Sequence, residues 1–325
     1  MKRDDIPLVL WGGSHSIADE PTHGGLDDDH HSLTDAVIVG DGEPAVTRLI
    51  KVWFKHGPYT KAAASKQAFL RKCHENHVPG FYETDLYKHT YESGRLVDIR
   101  PTVDYAAFPV KKAKVWNLDS VRTLEERVQW YSVSLGGTAD VEIARGCGAR
   151  CTFCQEASIS RPYRERSLAK VKEAAWAGRY YQGALEVNLF SFVWNQYSMI
   201  YPLAQWLLEK FGRCNLISNR LDMQAEDEIM ARMAKTLGSH HLTVGLEGVS
   251  EKMRNYLNKN LSHQQVLDGV RNIFAAGITE LKMFMIATGL ESEDDTNEFA
   301  QLLDDIIAIR NELGSTATVR ISFTP

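Results

Sequence analysis

Ala139-Asp140-Val141-Glu142-Ile143-Ala144-Arg145-Gly146-Cys147-Gly148-Ala149-Arg150-Cys151-Thr152-Phe153-Cys154 joins a short β-type run to three cysteines spaced C-x3-C-x2-C. Residues 139–143 read as a strand that leads straight into the cysteine loop. A cubane iron–sulfur cluster has four irons and is normally held by four thiolates. This loop supplies three, and no fourth cysteine lies nearby. One iron is then left open, and an open position on a metal is where chemistry takes place. The bland alternative is a zinc knuckle or a chance group of structural thiols. Zinc would want a fourth Cys or His at short spacing, and the nearest downstream histidine is His240.

Downstream of the loop, short β-type runs alternate with amphipathic helices, the pattern of a parallel α/β fold. Ser167 is a candidate N-cap for a helix with Leu168, Val171, Ala174 and Ala175 on one face. Further strands are expected at 186–192, 214–218, 242–246, 281–286 and 318–323. The helices between them carry Ile200, Leu203, Leu207 and Phe211, then Ile229 and Met233. Ser262 caps the next, with Val266, Val270, Ile273 and Phe274, and the last carries Phe299, Leu302, Leu303, Ile306 and Ile307. Leu281 to Ile286 is apolar apart from Lys282, as a strand buried on both faces requires. Six β/α units predict a partial, open barrel with its active site at the C-terminal strand ends. The chain stops just past its sixth strand, and truncation is an open expectation.

The first part of the chain differs. Pro7–Trp11 and Ala36–Val39 read as strands running into Gly-containing loops, the second followed by a helix to about Phe54. Two such units suit the back half of a doubly wound domain. Asp27-Asp28-Asp29-His30-His31 reads as a solvated acidic loop, with metal binding as the alternative. His56-Gly57-Pro58 marks a boundary, residues 61–75 look helical, and Val78 to Gly137 suggests hairpins and an extended connector. The expected organisation is therefore a partial α/β domain over 1–57, a helix and connector over 58–137, and the partial barrel over 138–325.

Composition sets the outer limits. The chain has 325 residues, 44% hydrophobic and 24% charged, which is ordinary for a soluble globular protein. Its net charge of −5 argues against a general nucleic-acid-coating surface. No apolar run approaches the roughly 18 residues that span a bilayer, and the N-terminus does not read as a signal peptide. Five cysteines, three of them in one loop, make no disulfide framework. Cys73 and Cys214 are read as buried small hydrophobes, and the expected setting is a reducing, cytoplasmic one.

Several stretches together resemble radical S-adenosylmethionine (SAM) enzymes that carry an N-terminal cobalamin-binding-type domain. Residues 6–13 and 35–43 resemble that domain's late strands. Val141 through Gln155 and Arg161 to Ser167 resemble the cluster loop and its exit. Val244 to Ser250 and Met285 to Asp295 continue the match. The resemblance implies a [4Fe–4S] cluster on Cys147, Cys151 and Cys154, with the open iron holding the amine and carboxylate of SAM. It implies reductive cleavage of SAM to a 5′-deoxyadenosyl radical acting on an unknown substrate, with an electron donor of flavodoxin or ferredoxin type. No D-x-H-x-x-G motif, which supplies the cobalt-ligating histidine in the cobalamin-binding group, precedes His56. Tight cobalamin binding is therefore not expected. A cobalamin-dependent methyltransferase is one alternative, and a non-catalytic cluster scaffold is the other.

Gly146 and Gly148 would let the loop wrap closely and leave backbone N–H groups for the sulfides. Phe153 holds the position that in the superfamily packs near adenine, or else is a core aromatic. Many family members place a Gly-Gly-Glu stretch after the second strand. Here Ser191-Phe192-Val193-Trp194 stands instead, and Ser191 either contacts SAM or is a plain strand-end serine. Ser218, Asn219 and Arg220 follow the third strand. Arg220 either holds the SAM carboxylate as a bidentate fork or makes a surface salt bridge. Glu247 ends the fourth strand where it would accept hydrogen bonds from ribose. Gly289 marks either a close approach to adenine or an ordinary turn. Arg161, Arg164 and Arg166 form a basic segment that either steadies an anion or is solvated and paired with Glu165.

Overall fold

The computed structural model describes residues 7–13, 34–56, 63–123, 137–216 and 218–325. The acidic stretch 27–31, the Gly57-Pro58 boundary and Ile217 lie outside the described residues. The chain forms two compact units, Met1–Trp116 and Asn117–Pro325.

In the first unit β1 (Leu10–Gly12) and β2 (Ala36–Ile38) pair in parallel, and β3 (Phe81–Tyr82) joins β2 antiparallel. Helices α1 (Gly42–His56) and α2 (Ala63–Glu75) follow β2 in the chain, and β4 (Tyr87–Glu92) and β5 (Arg95–Pro101) form a hairpin. Ala36, Ile38, Ala45, Val52, Phe69, Cys73, Phe81 and Ala113 share one core. Ala113 also bridges to Gly40, and the Val115 N–H donates to Asp41 at 2.7 Å. These contacts carry residues 63–116 into the first unit, where the sequence suggested a boundary after residue 57 and a connector to 137.

The second unit is the predicted β/α succession. Its strands are β6 (Thr138–Glu142), β9 (Glu186–Phe190), β10 (Cys214–Leu216), β11 (His241–Glu247), β12 (Glu280–Ile286) and β13 (Thr318–Thr324). All of them pair in parallel, as β6-β9-β10 and β11-β12-β13. A parallel bridge between Asn219 and Val244 links the two halves, helped by Asn219 Nδ2 donating to Thr243 O at 2.8 Å. The result is a partial (β/α)6 sheet with strands in sequential order.

Residues alternate between faces, as strand geometry requires. Val141, Val187, Leu189, Leu242, Val244, Leu281 and Met283 are buried in a single core. That core also takes residues from α4 (Leu168–Gln182), α5 (Ile200–Lys210), α9 (His263–Ala275) and α10 (Glu293–Glu312). Asp140, Asn188, Thr243 and Lys282 occupy the opposite face, which is only half-buried. At Gly178 of α4 a Cβ would stand 2.5 Å from the Ala139 Cβ, so this helix–strand approach demands glycine. Ser167 caps α4 by accepting from Lys170 N, and Ser262 forms a full capping box with Gln265.

One helix departs from expectation. Residues 221–236 form two, α6 (Leu221–Glu226) and α7 (Glu228–Thr236), because Asp227 is extended and caps the second by accepting from Ile229 N. Ile229 is consequently 55% exposed, and Met230, Ala231 and Ala234 face the core.

Candidate active site

The cysteine loop is pinned at its base by two short strands. β7 (Ala144–Arg145) pairs antiparallel with β8 (Arg164–Glu165), and Arg166 N donates to Ile143 O at 2.9 Å. Gly146 turns the chain with φ +81°, and a Cβ there would meet Ser160 O at 2.8 Å and Pro162 O at 2.9 Å. Only glycine meets both demands. Further bonds hold the loop from outside. Arg161 Nη2 donates to Ala149 O at 2.7 Å, Thr152 N to Leu257 O at 3.0 Å, and Asn258 Nδ2 to Arg150 O at 2.6 Å.

Two backbone N–H groups donate to sulfur, Ala149 to Cys147 Sγ and Ala157 to Cys154 Sγ, each at 3.4 Å. The second caps α3 (Gln155–Ser160). The Gly148 N–H, expected to serve a sulfide, instead donates to Gln196 Oε1 at 3.3 Å. The three sulfurs feel one another's charge: burial pushes the Cys151 thiol up, Cys147 and Cys154 add to this, and the cations of Lys259 and Arg220 oppose it. Among the described residues no three Cys, His, Asp or Glu side chains converge as ligands for a single metal ion.

Arg220 lies beside this group with its guanidinium forked on Asp222, Nε to Oδ1 at 3.0 Å. Burial works against its charge, but Asp222, Cys147 and Cys151 outweigh it and hold the guanidinium protonated. The pair is 16% and 20% exposed, so it is not the surface salt bridge offered as the alternative. Asn195 fixes the Arg220 backbone from both sides, donating to its carbonyl and accepting from its N–H at 3.0 Å.

Glu247 ends β11 at a bulge, with φ +71°, an unusual conformation for a non-glycine residue. Its side chain folds back over Gly245, where a built Cβ would lie 1.9 Å from Oε1, and meets Lys259 Nζ at 3.5 Å. Burial raises the Glu247 carboxyl, and Lys259 pulls it down. Lys259, 12% exposed, was not singled out in the sequence. Its signal is the flanking pair Asn258 and Asn260, both left-handed at φ +53° and +50°. Asparagine tolerates that region better than most residues, so Asn258-Lys259-Asn260 is readable as a tight, shaped turn. Gln196 left no such signal.

The remaining candidates are less tightly gathered. Ser191 Oγ is buried and finds no hydrogen-bond partner among the described residues, and the same holds for Trp194 Nε1 three residues on. Ser218 accepts the Trp194 N–H at 3.1 Å through its carbonyl, so the loops after β9 and β10 touch. Phe153 is 42% exposed, which removes the core-aromatic reading. Gly289 (φ +74°) lies in an open turn with nothing within 4 Å of a built Cβ.

The arginine segment is corrected. Arg164 and Arg166 are buried. Arg164 donates to Pro162 O and Ser160 O at 3.0 Å. Arg166 Nη1 donates to Leu118 O and Val121 O, and Nη2 to Glu142 Oε2 at 2.7 Å. Glu165 turns to Tyr163 and Ser198. The guanidinium groups stitch the loop's base to backbone carbonyls, so they are neither an anion patch nor a solvated face.

The donor chemistry fits a cluster. Three soft thiols share one pinned loop, backbone N–H groups reach two of the sulfurs, and two half-buried cations stand by to offset thiolate charge.

The sequence model of the radical SAM superfamily matches residues 141–303. The uncharacterized protein MJ0966 of Methanocaldococcus jannaschii is 26% identical over 163 residues, covering 50% of this chain and 36% of that protein. The uncharacterized methyltransferase PH0819 of Pyrococcus horikoshii is 25% identical over 170 residues, covering 50% and 37%. The chain therefore matches little more than a third of the length of these curated relatives. Among solved structures, the cobalamin-dependent SAM radical enzyme OxsB superposes with a TM-score of 0.57 at 17% identity, over 91% of this chain and 39% of that one. The radical SAM methyltransferase TsrM of Kitasatospora setae gives 0.54 at 16%, over 97% and 54%. At these identities the structural likeness speaks for the fold, while the sequence match covers the cysteine loop and five of the six strands. The chain belongs to the radical SAM superfamily, whose enzymes use a [4Fe–4S] cluster and SAM.

Proposed function

We propose that this chain is a radical SAM enzyme in which Cys147, Cys151 and Cys154 hold the cluster and the strand ends of the second unit hold SAM. When bound, the cluster supplies one electron that breaks the sulfur–C5′ bond of SAM, giving methionine and a 5′-deoxyadenosyl radical that abstracts hydrogen from a substrate.

The protein's own contribution is placement and charge. The N–H groups of Ala149 and Ala157 steady the thiolates of Cys147 and Cys154, and Arg220 and Lys259 offset negative charge at Cys151. Arg220, forked on Asp222, stands where a SAM carboxylate would find a protonated guanidinium. Glu247 turns its carboxylate inward at the end of β11, suited to ribose hydroxyls once Lys259 yields. Ser191 Oγ and Trp194 Nε1 are buried donors awaiting an acceptor, and a polar ligand at the end of β9 would relieve both. Phe153, exposed beside Cys154, is suited to pack on adenine; Ser218 and Gly289 border the same strand ends. Electrons come from a donor of flavodoxin or ferredoxin type in the reducing cytoplasm. No described helix is long and apolar enough to cross a membrane.

The observation that carries this reading is the single pinned loop presenting three thiols beside two half-buried cations. Anaerobic reconstitution with iron and sulfide tests it. About four irons per chain and, after reduction with dithionite, a cubane-type EPR signal that changes on adding SAM are expected, and both should vanish in Cys151→Ala. A mononuclear site would contradict the reading.

A second reading, cobalamin-dependent radical methyl transfer, is favoured by the folds of OxsB and TsrM, which match 91% and 97% of this chain. Retention of a corrinoid absorption band after gel filtration would decide for it.

A further inference from the structure

We propose that Lys282 and Arg320 form an anion-binding subsite on the face of the second unit's sheet opposite its core, and that the substrate presents a carboxylate or phosphate to it. This rests on reading that face as the reaction chamber.

The strand alternation fixes where these side chains stand. Leu281, Met283 and Met285 are buried in the core, so Lys282 and Phe284 belong to the opposite face of β12. Val319 and Ile321 of β13 pack against the same core, which leaves Arg320 and Ser322 on that opposite face. Lys282 and Arg320 are direct register partners, and Thr243 of β11 is the partner on the other side of Lys282. Neighbouring strands lie about 5 Å apart, so the two side chains start side by side, with Lys282 leaning toward Phe284 and Arg320 toward Glu280. Like charges in that position repel. Glu280 offsets one of them, its Oε1 3.2 Å from Arg320 Nε. Lys282 has no carboxylate within ion-pairing distance among the described residues. Its ammonium rests over the half-exposed Phe284 ring, 4.4 Å from the centroid. A half-buried ammonium resting on an aromatic face, with no carboxylate paired to it among the described residues, wants an anion.

The other half of the sheet carries a different polar row on this face. Asp140, Asn188 and Asn215 are in register across β6, β9 and β10. Asn188 Nδ2 donates to Asp140 Oδ1, and Asn215 Nδ2 to Asn188 Oδ1, both at 2.8 Å. This row carries the negative charge of Asp140 and repels an anion, while the β12–β13 side attracts one. A small anionic substrate is thereby steered to one end of the face and held there in one orientation.

Titration of the full chain with inorganic phosphate at low ionic strength, followed by 31P line broadening, tests the subsite without any cluster chemistry. Saturable broadening is expected, weakened about tenfold in Lys282→Met, the loss of roughly one charge-assisted hydrogen bond. Glu280→Gln frees Arg320 and should tighten binding. Displacement of phosphate by acetate at similar concentration identifies a carboxylate ligand, and resistance to acetate identifies a phosphate. Equal binding by wild type and Lys282→Met, with circular dichroism unchanged, overturns the proposal, as does failure of both probes to bind. 5′-Deoxyadenosine formation measured on the same preparations separates the two claims. Phosphate binding without it leaves the subsite standing and removes the radical reading; the converse removes only the subsite.

Discussion

Replacing Arg166 by methionine would test whether the cysteine loop is built on a buried ionic stitch. The Arg166 side chain is 2% exposed and bonds to Glu142 Oε2 at 2.7 Å. It also donates to the carbonyls of Leu118 and Val121. Methionine keeps most of the stem volume and deletes all three bonds. Removing one member of a buried ion pair costs about 3–5 kcal/mol, because the other charge stays behind uncompensated. Here Arg145 Nε still holds Glu142 Oε1 at 2.6 Å, which places the loss at the lower end, about 3 kcal/mol. For a unit of roughly 200 residues that is a fall of about 6–12 °C in Tm. Calorimetry of the full chain at neutral pH should show one transition shifted by that amount and the other unmoved. Glu142→Gln in the Arg166→Met background should recover none of the loss, since Arg145 then gives up its carboxylate partner as well. Iron incorporated on reconstitution should fall together with stability, because the same stitch anchors β6 and β8 on either side of the loop. A loss below about 1 kcal/mol, the worth of an exposed pair, would refute the reasoning.

Other outcomes follow from the same geometry. Gly146→Ala should sharply reduce cluster assembly, because its Cβ would press on two backbone carbonyls at a positive φ; Gly148→Ala should do so far less, since it meets only the flexible end of Gln196. Iron-to-protein ratios check the contrast. Native apo-protein treated with iodoacetamide at pH 8 should be labelled within the cysteine loop and spared at Cys73 and Cys214, both buried and both raised to about 12, chiefly by desolvation. Peptide mapping reads this directly. Asp295 is held well below the usual carboxylate range by the hydroxyls of Ser250 and Ser292 and by Lys252. Its contribution to stability is therefore full above about pH 4 and is lost as pH falls toward its folded value. Asp295→Asn should flatten the acid limb of a urea-midpoint-against-pH curve, and an unchanged limb would contradict the assignment.

The parallel β/α order was legible because each strand is a short apolar run and each helix carries one apolar face. Ser167 and Ser262 announced their helices and do cap them. Asp227 was overlooked as a cap, and that single residue splits the helix expected through Ile229 and turns Ile229 outward. The cysteine loop was plain from spacing. What surrounds it was not, because its partners lie far along the chain: Gln196 on Gly148, Asn258 on Arg150, and Lys259 beside Cys151. The charges of Arg164 and Arg166 suggested a solvated segment, yet their acceptors are mainly backbone carbonyls that exist as a set only in the folded chain. The helix over residues 63–75 was legible, but residues 78–116 looked like connector because their strands are short, and a core shared with β2 draws both into the first unit.

The central claim is that this loop and these strand ends direct the reductive cleavage of SAM. The most direct measurement is chromatography for 5′-deoxyadenosine after anaerobic reconstitution and addition of SAM and dithionite. The account predicts its formation by wild type and its loss in Cys151→Ala. A chain that assembles the cluster and binds SAM, yet forms no 5′-deoxyadenosine and no methionine, would contradict it.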